Sequence, residues 1–303
     1  MSAIQTQIAA IQSQLEGVYP ANEAEALAWW IAEETTGLTR TQLLCDCKDT
    51  TNFPNVQEII ARLLRFEPIQ YIFGHTLWCG LDLKVTPAVL IPRPETAELV
   101  EKVSNYQFPT TFWGEPVPER KGPVRVLDLC TGSGCIAIAL KKQHPDWEVT
   151  GIDISPEAIE VAKENAVRNG VEVEFLVMDI TSDEFEDYYK QIGYPIPPDI
   201  IVSNPPYVCE SEKANMRRNV LDYEPHQALF VPDNDPIRLY LRLPWLIIEN
   251  HSPLYPLPTL FFEVNEAYQM RVAQLYYSCG FKDIQLFNDS YGKPRFVQAG
   301  SPQ

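Results

Sequence analysis

The run Ile200-Ile201-Val202-Ser203 ends at Asn204-Pro205-Pro206-Tyr207, four residues able to hold one planar amide or amino group. The β-branched apolar run predicts a buried strand, and two successive prolines must end it, since each fixes φ and lacks a backbone N–H for the ladder. The chain therefore stops rigidly at a strand tip. There the Pro205 carbonyl and the Asn204 side-chain oxygen can each accept a hydrogen bond, and Tyr207 can offer a flat apolar face. That set suits an sp² NH₂ donor. Taken alone, the tetrapeptide is equally an ordinary strand-ending turn, because Asn-Pro commonly starts one; the residues upstream of it carry the weight.

Val124 to Leu140 reads as an apolar strand, a turn Cys130-Thr131-Gly132-Ser133-Gly134 and an apolar helix start, which is how a nucleotide-type cofactor loop begins. Gly132 and Gly134 allow a tight turn and a close ligand approach to the backbone, and the opening helix presents free N–H groups. Asp128, inside the strand, is placed for a cationic or amino end of a ligand. Asp153 ends a second strand roughly 20 residues after the first glycine, where ribose hydroxyls would sit. Asp179 ends a third run, where it could accept from an adenine amino group or simply be a solvated strand-end acid. Gly132 to Ala137 also satisfies the G-x-G-x-x-G/A pattern of nicotinamide enzymes, so that motif alone leaves a dehydrogenase open. Asp128 and the tetrapeptide three strands later favour S-adenosylmethionine, because hydride transfer needs neither.

With these residues in view, the chain resembles the HemK/PrmC family of protein-glutamine N5-methyltransferases, which modify the Gly-Gly-Gln loop of class 1 peptide chain release factors. Glu67-Pro68-Ile69-Gln70-Tyr71-Ile72-Phe73-Gly74, Leu90-Ile91-Pro92-Arg93-Pro94-Glu95-Thr96 and Tyr223-Glu224-Pro225 with Ala228-Leu229 carry the resemblance over nearly the whole chain. It implies that Cys130 through Gly134 and Asp153, with the adjoining Ile154, contact the cofactor, that Ile180 flanks adenine, and that Asn204 through Tyr207 bind the substrate glutamine. Arg93 and Glu95 either line the pocket or form a helix-start ion pair, the pocket being the reading the resemblance favours. A ribosomal-protein glutamine methyltransferase, and an enzyme acting on adenine N6 in DNA or RNA, remain as alternatives; a cofactor-binding regulatory protein would have no use for the tetrapeptide.

The chain departs from the family at several points. Cys130 stands where a glycine is usual, so this position is expected not to need positive φ. Asn234-Asp235-Pro236 replaces Asp-Gly-Leu, and Glu263-Val264-Asn265 replaces Glu-Ile-Gly. Residues 105–122 and 182–198 carry extra length and are expected to be neutral surface insertions.

The elements that must position these residues follow from periodicity. Helices are expected at 3–15, 22–35 and 55–66, with Trp29 and Trp30 as core rather than a partner face. A hairpin linker spans 76–93 and a helix opens at Pro94. From 124 onward strands near 124–129, 148–153, 172–177, 199–203 and 259–264 alternate with helices near 134–143, 156–169, 236–250 and 267–279. Two closing strands follow, near 281–287 and 294–299. This predicts a seven-stranded, doubly wound Rossmann-like class I methyltransferase sheet over 94–303 behind a helical bundle over 1–75. Ligands in such sheets bind beyond the carboxyl ends of the strands, where Gly132, Asp153, Asp179 and Asn204 all fall.

Composition sets outer limits. The 303 residues are 45% hydrophobic and 11% aromatic, enough for packed cores in about two domains. A net charge of −17 lacks the basic footprint of a phosphate-backbone binder and counts against nucleic acid as a partner. Seven cysteines without a CxxC pair indicate neither a disulfide framework nor zinc, and no metal is expected. The lone histidines at 75, 144, 226 and 251 read as structural or surface residues. With no apolar run approaching a membrane span and no signal pattern at Met1, a cytoplasmic location is expected.

Overall fold

The computed structural model describes residues 3–45, 53–108, 111–112, 115–116, 122–192, 197–250 and 256–300. Two units pack separately, one formed by Met1–Gly74 with Arg217–Tyr223 and the other by His75–Met216 with Glu224–Gln303.

The first unit is helical: α1 (Ala3–Leu15), α2 (Ala21–Thr36), α3 (Arg40–Cys45), α4 (Val56–Leu63) and α5 (Ile69–Phe73). Its core takes Ile4, Ile8, Ile11 and Leu15 from one stripe of α1, and Ala24, Ala28, Ile31 and Ala32 from one stripe of α2. Trp29 and Trp30 lie half-buried against this core, with the Arg40 guanidinium 4.2 Å from the Trp29 ring centre. The two helices α3 and α5 were not expected from the sequence, since six and five residues are too few to show periodicity. Arg217–Tyr223 joins through tertiary contacts alone: the Tyr223 hydroxyl donates to the Arg65 carbonyl at 2.9 Å, and the Arg218 guanidinium lies 4.3 Å from the Phe66 ring centre.

The second unit opens with the antiparallel hairpin β1 (His75–Trp78) and β2 (Leu81–Lys84), followed by α6 (Pro94–Ser104) with Pro94 in its first turn. A short hairpin β3 (Thr111–Phe112) and β4 (Glu115–Pro116) precedes the sheet. Then come β5 (Arg125–Leu129), α7 (Cys135–Gln143), β6 (Glu148–Asp153), α8 (Pro156–Asn169), β7 (Glu174–Val177), α9 (Asp183–Ile192) and β8 (Ile200–Ser203). The short β9 (Val208–Cys209), α10 (Arg218–Leu221, in the first unit) and β10 (Phe230–Val231) lead to α11 (Arg238–Glu249), β11 (Thr259–Glu263), α12 (Gln269–Ser278), β12 (Asp283–Asn288) and β13 (Pro294–Gly300).

Seven of these strands form one sheet in the order β12-β13-β11-β8-β5-β6-β7, with β13 antiparallel to both neighbours. The four residues of β8 and the five of β11 are all buried, as central parallel strands covered on both faces must be. One face packs on α6, α7 and α8, the other on α9, α11 and α12, giving the doubly wound Rossmann-like architecture expected from the sequence.

Two expected insertions prove structural. Residues 182–198 contain α9, whose Phe185 and Tyr189 are 1% exposed and fill the second face. A right-handed parallel crossover from β7 to β8 needs an element on that face, and Phe-Glu-Asp-Tyr-Tyr-Lys-Gln-Ile supplies its apolar side despite the three acids in the first turn. Within 105–122, Tyr106 and Phe108 pack on the first face, Tyr106 edge-on to Phe261 with ring centres 5.5 Å apart. Residues 109–110, 113–114, 117–121 and 193–196 of these two stretches, and His251, lie outside the described residues.

Candidate functional site

Register assembles the site. Leu129 pairs with Ile152 on one side and with Ser203 on the other, and Ser203 pairs with Phe262. The next residue on each of these four strands is Cys130, Asp153, Asn204 and Glu263, so four chemically distinct side chains stand in one row at the carboxyl ends. Between β5 and β8 the strand order reverses, the place where open α/β sheets bind ligands.

The cofactor loop is held mainly through backbone. Asp153 accepts from the Gly132 N–H at 2.8 Å with one oxygen and from the Ser155 N–H at 3.0 Å with the other, leaving a further lone pair on each for ribose hydroxyls. Burial raises its pKa against those bonds. Gly132 sits at φ 55°, and a Cβ there would meet nothing within 4 Å. Gly134 answers a different need: a Cβ would lie 3.0 to 3.1 Å from Ile138, Ala162 and Phe175, so this glycine lets α7 pack rather than a ligand approach. Cys130 corrects an expectation. Its φ is +59°, so the position does adopt the left-handed conformation that glycine takes without strain, and a cysteine occupies it nonetheless.

Asp128 is fully buried. Its Oδ2 accepts from the Thr131 hydroxyl at 2.5 Å and the Ala137 N–H at 3.2 Å, bracing the turn to the start of α7, while its Oδ1 is buried without a hydrogen-bond partner among the described residues. Burial pushes its carboxyl up to about 7, opposed by those two bonds.

Two cavities, of about 250 and 220 Å³, run along the strand tips and share Cys130, Asp153, Ile154, Pro206 and Gln227. The larger adds Arg93, Thr96, Thr131, Gly132, Ser133 and Asn204; the smaller adds Asp179, Ile180, Phe230 and Arg238. A groove of about 620 Å³ including Lys141, Glu148 and Glu174 lies where β6 and β7 begin, at the wrong end of the strands for the conserved logic of such sheets. The paired cavities could take an extended ligand, and Asp153 lines both of them. Asp179 accepts from the Thr181 N–H and hydroxyl with Oδ1, so its Oδ2 remains for an amino group.

Of the residues expected at the site, Asp128, Gly134, Pro205, Tyr207 and Glu95 are not on the walls of these cavities. Arg93 is, and its ion partner is Glu224 rather than Glu95: Arg93 donates to Glu224 at 2.7 Å, and the Ile91 N–H donates to the other oxygen at 3.1 Å. Glu224 belongs to a quoted family motif, yet nothing local in the sequence pairs it with a residue 131 positions away.

The tetrapeptide is braced by side chains from elsewhere. Asn204 bonds Thr96 at 3.0 Å, Thr96 bonds Glu263 at 2.8 Å, and the Tyr207 hydroxyl donates to the other oxygen of Glu263 at 2.8 Å. Arg295, itself 3.4 Å from Asp289, approaches the Tyr207 oxygen at 3.4 Å. Burial and the charge of Glu263 hold the Tyr207 phenol well above its ordinary pKa. Asn265, which replaces a usual glycine, donates to the Tyr207 carbonyl at 3.1 Å and to Glu212 at 2.9 Å, fixing the chain that leaves the site. Thr96, Glu263, Asn265 and Arg295 were missed as site residues. The sequence signal for Glu263 was its position after the apolar run Leu260-Phe261-Phe262, a strand-end acid like Asp153.

The family model described as "PrmC N-terminal domain" matches residues 8–74, and "Methyltransferase small domain" matches 115–223. A release factor glutamine methyltransferase of Bacteroides thetaiotaomicron is 39% identical over 296 residues, covering 95% of this chain and 97% of that protein. A protein of the same description from Flavobacterium psychrophilum is 36% identical, covering 94% of each. Among solved structures, the hMettl16 catalytic domain in complex with a MAT2A 3'UTR hairpin superposes with a TM-score of 0.51 at 15% identity, over 78% of this chain and 83% of that one, a likeness of fold alone. Alike from one end to the other to proteins of that description, this chain belongs to the release factor glutamine methyltransferase family.

Proposed function

We propose that the protein transfers a methyl group from S-adenosylmethionine to the side-chain amide nitrogen of the glutamine in the Gly-Gly-Gln motif of class 1 peptide chain release factors. The observation that carries this reading is Asn204 standing at the reversal of strand order, one strand from the Cys130–Gly134 loop, among the residues that line the cavity. The family membership, and the activity named for its relatives, support it.

When bound, S-adenosylmethionine supplies an electrophilic methyl carbon on a sulfonium. The Thr131–Ser133 backbone and Asp153 hold the donor, with Asp179 and Ile180 at the adenine end. Amide nitrogen is a poor nucleophile because its lone pair is delocalised into the carbonyl. Asn204 Oδ1 and the Pro205 carbonyl accept the two N–H bonds of the glutamine, orient its nitrogen, and relieve the positive charge that develops there as the N–C bond forms and the S–C bond breaks. One N–H proton would then pass to solvent water, restoring the neutral amide as the donor leaves as the neutral thioether. Such positioning is worth on the order of 7 kcal/mol in favourable cases. Arg93, locked on Glu224, stands on the same wall as a candidate contact for the incoming loop, and the separate helical unit is the candidate for gripping the release factor.

Adenine N6 is also a planar donor that the same acceptors could hold, but a chain of net charge −17 is poorly suited to a polyanion. The test is incubation with labelled S-adenosylmethionine and, separately, a class 1 release factor, a large-subunit ribosomal protein and DNA, with the label mapped by mass spectrometry. Label on the Gly-Gly-Gln glutamine is the expected result; label on nucleic acid or the ribosomal protein alone would overturn the substrate assignment.

A further inference from the structure

We infer that Glu263 is a positioning residue: acting through Thr96, it dictates which end of the Asn204 amide faces the substrate, and acting through Tyr207 it anchors the other end of the tetrapeptide. The inference deepens the methyl-transfer reading and rests on it for its catalytic consequence, though not for its geometry.

Glu263 is 1% exposed and its two oxygens lie 2.8 Å from the hydroxyls of Thr96 and Tyr207. An ionised carboxylate can only accept, so the single hydrogen of Thr96 is committed to it. The Thr96 oxygen can then take part in its 3.0 Å contact with Asn204 only as an acceptor, and the Asn204 group facing it must be the NH₂. Which way a side-chain amide points is set by such networks, and here a carboxylate two residues removed sets it. The amide oxygen is consequently the end turned to the cavity. Reversed, Asn204 would set oxygen against an oxygen at Thr96 and present N–H groups to the N–H groups of a substrate amide. Burial, and to a lesser degree the charge of Glu95, raise the pKa of Glu263; the hydroxyls of Thr96 and Tyr207 and the charge of Arg295 oppose that rise and favour the ionised form on which this order of hydrogen bonds depends. Thr96 is 2% exposed and lies on α6, 108 positions from Asn204, so the arrangement exists only in the folded sheet.

The experiment compares the full-length wild type with Thr96→Val, which keeps the shape and removes the hydroxyl, with Thr96→Ser, which returns it, and with Glu263→Gln. Two readouts are taken: solvent exchange of the Asn204 side-chain NH₂ protons by NMR, and kcat on a release factor alongside the dissociation constant of S-adenosylmethionine. Loss of one hydrogen bond is expected to speed Asn204 exchange about tenfold in Thr96→Val, and misorientation of the acceptor to lower kcat about 100-fold with donor binding retained. Thr96→Ser restores both, and Glu263→Gln, a second route to the same lesion, resembles Thr96→Val. Equal exchange in wild type and Thr96→Val, or a serine variant as impaired as valine, overturns the inference. If exchange responds as expected while wild-type enzyme fails to label a release factor, the orienting role stands and the proposed substrate falls.

Discussion

The proposed cofactor loop Cys130–Gly134 and the proposed substrate tetrapeptide Asn204–Tyr207 occupy adjacent strand tips, yet they are held by different means. Cys130–Gly134 is shaped by its own backbone, with positive φ at Cys130, Gly132 and Gly134, and its anchors Asp128 and Asp153 sit within 25 positions of it. Asn204–Tyr207 has no unusual torsion and is gripped by Thr96, Glu263, Asn265 and Arg295, which are 56 to 108 positions away in the bonds they make. A backbone-held loop tolerates side-chain change and is sensitive to φ. The side-chain-held segment has the opposite sensitivities, so each region has substitutions that damage it and spare the other.

The largest separation is expected from Asn204→Ala. It removes the acceptor but no backbone feature, so kcat should fall by about 10²–10³-fold, the cost of deleting one preorganised polar partner of the reacting group. The dissociation constant for S-adenosylmethionine, measured by calorimetry, should move far less. A variant that lost donor affinity in step with turnover would show that the two regions are one binding surface.

This division also explains how far the sequence could be read. The doubly wound sheet, its crossover helices other than α9 and the row of strand-end residues follow from local periodicity, because the central strands are buried runs whose last residues reach the same edge. Asp153 and Asn204 were visible for that reason. Glu263 ends such a run too, yet its bond to Thr96 joins β11 to α6 across 167 positions, and no local pattern specifies the pair. Helix α9 was hidden because three acids in its first turn lower its hydropathy, while Phe185 and Tyr189 alone carry its buried side. Cys130 was misread because family preference for glycine was taken as a matter of choice, when the turn imposes the left-handed torsion whatever side chain occupies it.

A smaller effect should appear at Asp128, one of the side-chain braces of the backbone-shaped loop. Its folded pKa of about 7 lies above the unfolded value of 3.8. A raised pKa means that its contribution to stability is complete below the unfolded value and is lost as pH rises through about 7. Asp128→Asn removes that titration. The melting temperature of wild type minus that of the variant should therefore fall between pH 5 and pH 8, measured on protein free of cofactor. Asp153 and Glu263, whose pKa values are also raised, remain in both proteins, so the difference reports chiefly Asp128 and its coupling to Asp153. A difference that stayed flat with pH would show that Asp128 does not titrate in this range.

The smallest effect is the most direct probe of backbone holding. A non-glycine residue in the left-handed region costs roughly 1–2 kcal/mol, and glycine at the same torsion costs less while losing about 0.5–1 kcal/mol more chain entropy on folding. Cys130→Gly should therefore stabilise the protein by no more than about 1 kcal/mol, an upper bound because the thiol also bonds Ser203 and is lost with the change. Denaturant unfolding of the two proteins measures it. Kinetics on the same pair should show little change, since the loop keeps its path and Asn204 keeps its partners. Destabilisation instead would mean that the thiol's bond to Ser203, which itself bonds the Leu129 carbonyl, outweighs the torsion. The loop would then be held by side chains after all, and the distinction between the two strand tips would narrow to one of degree.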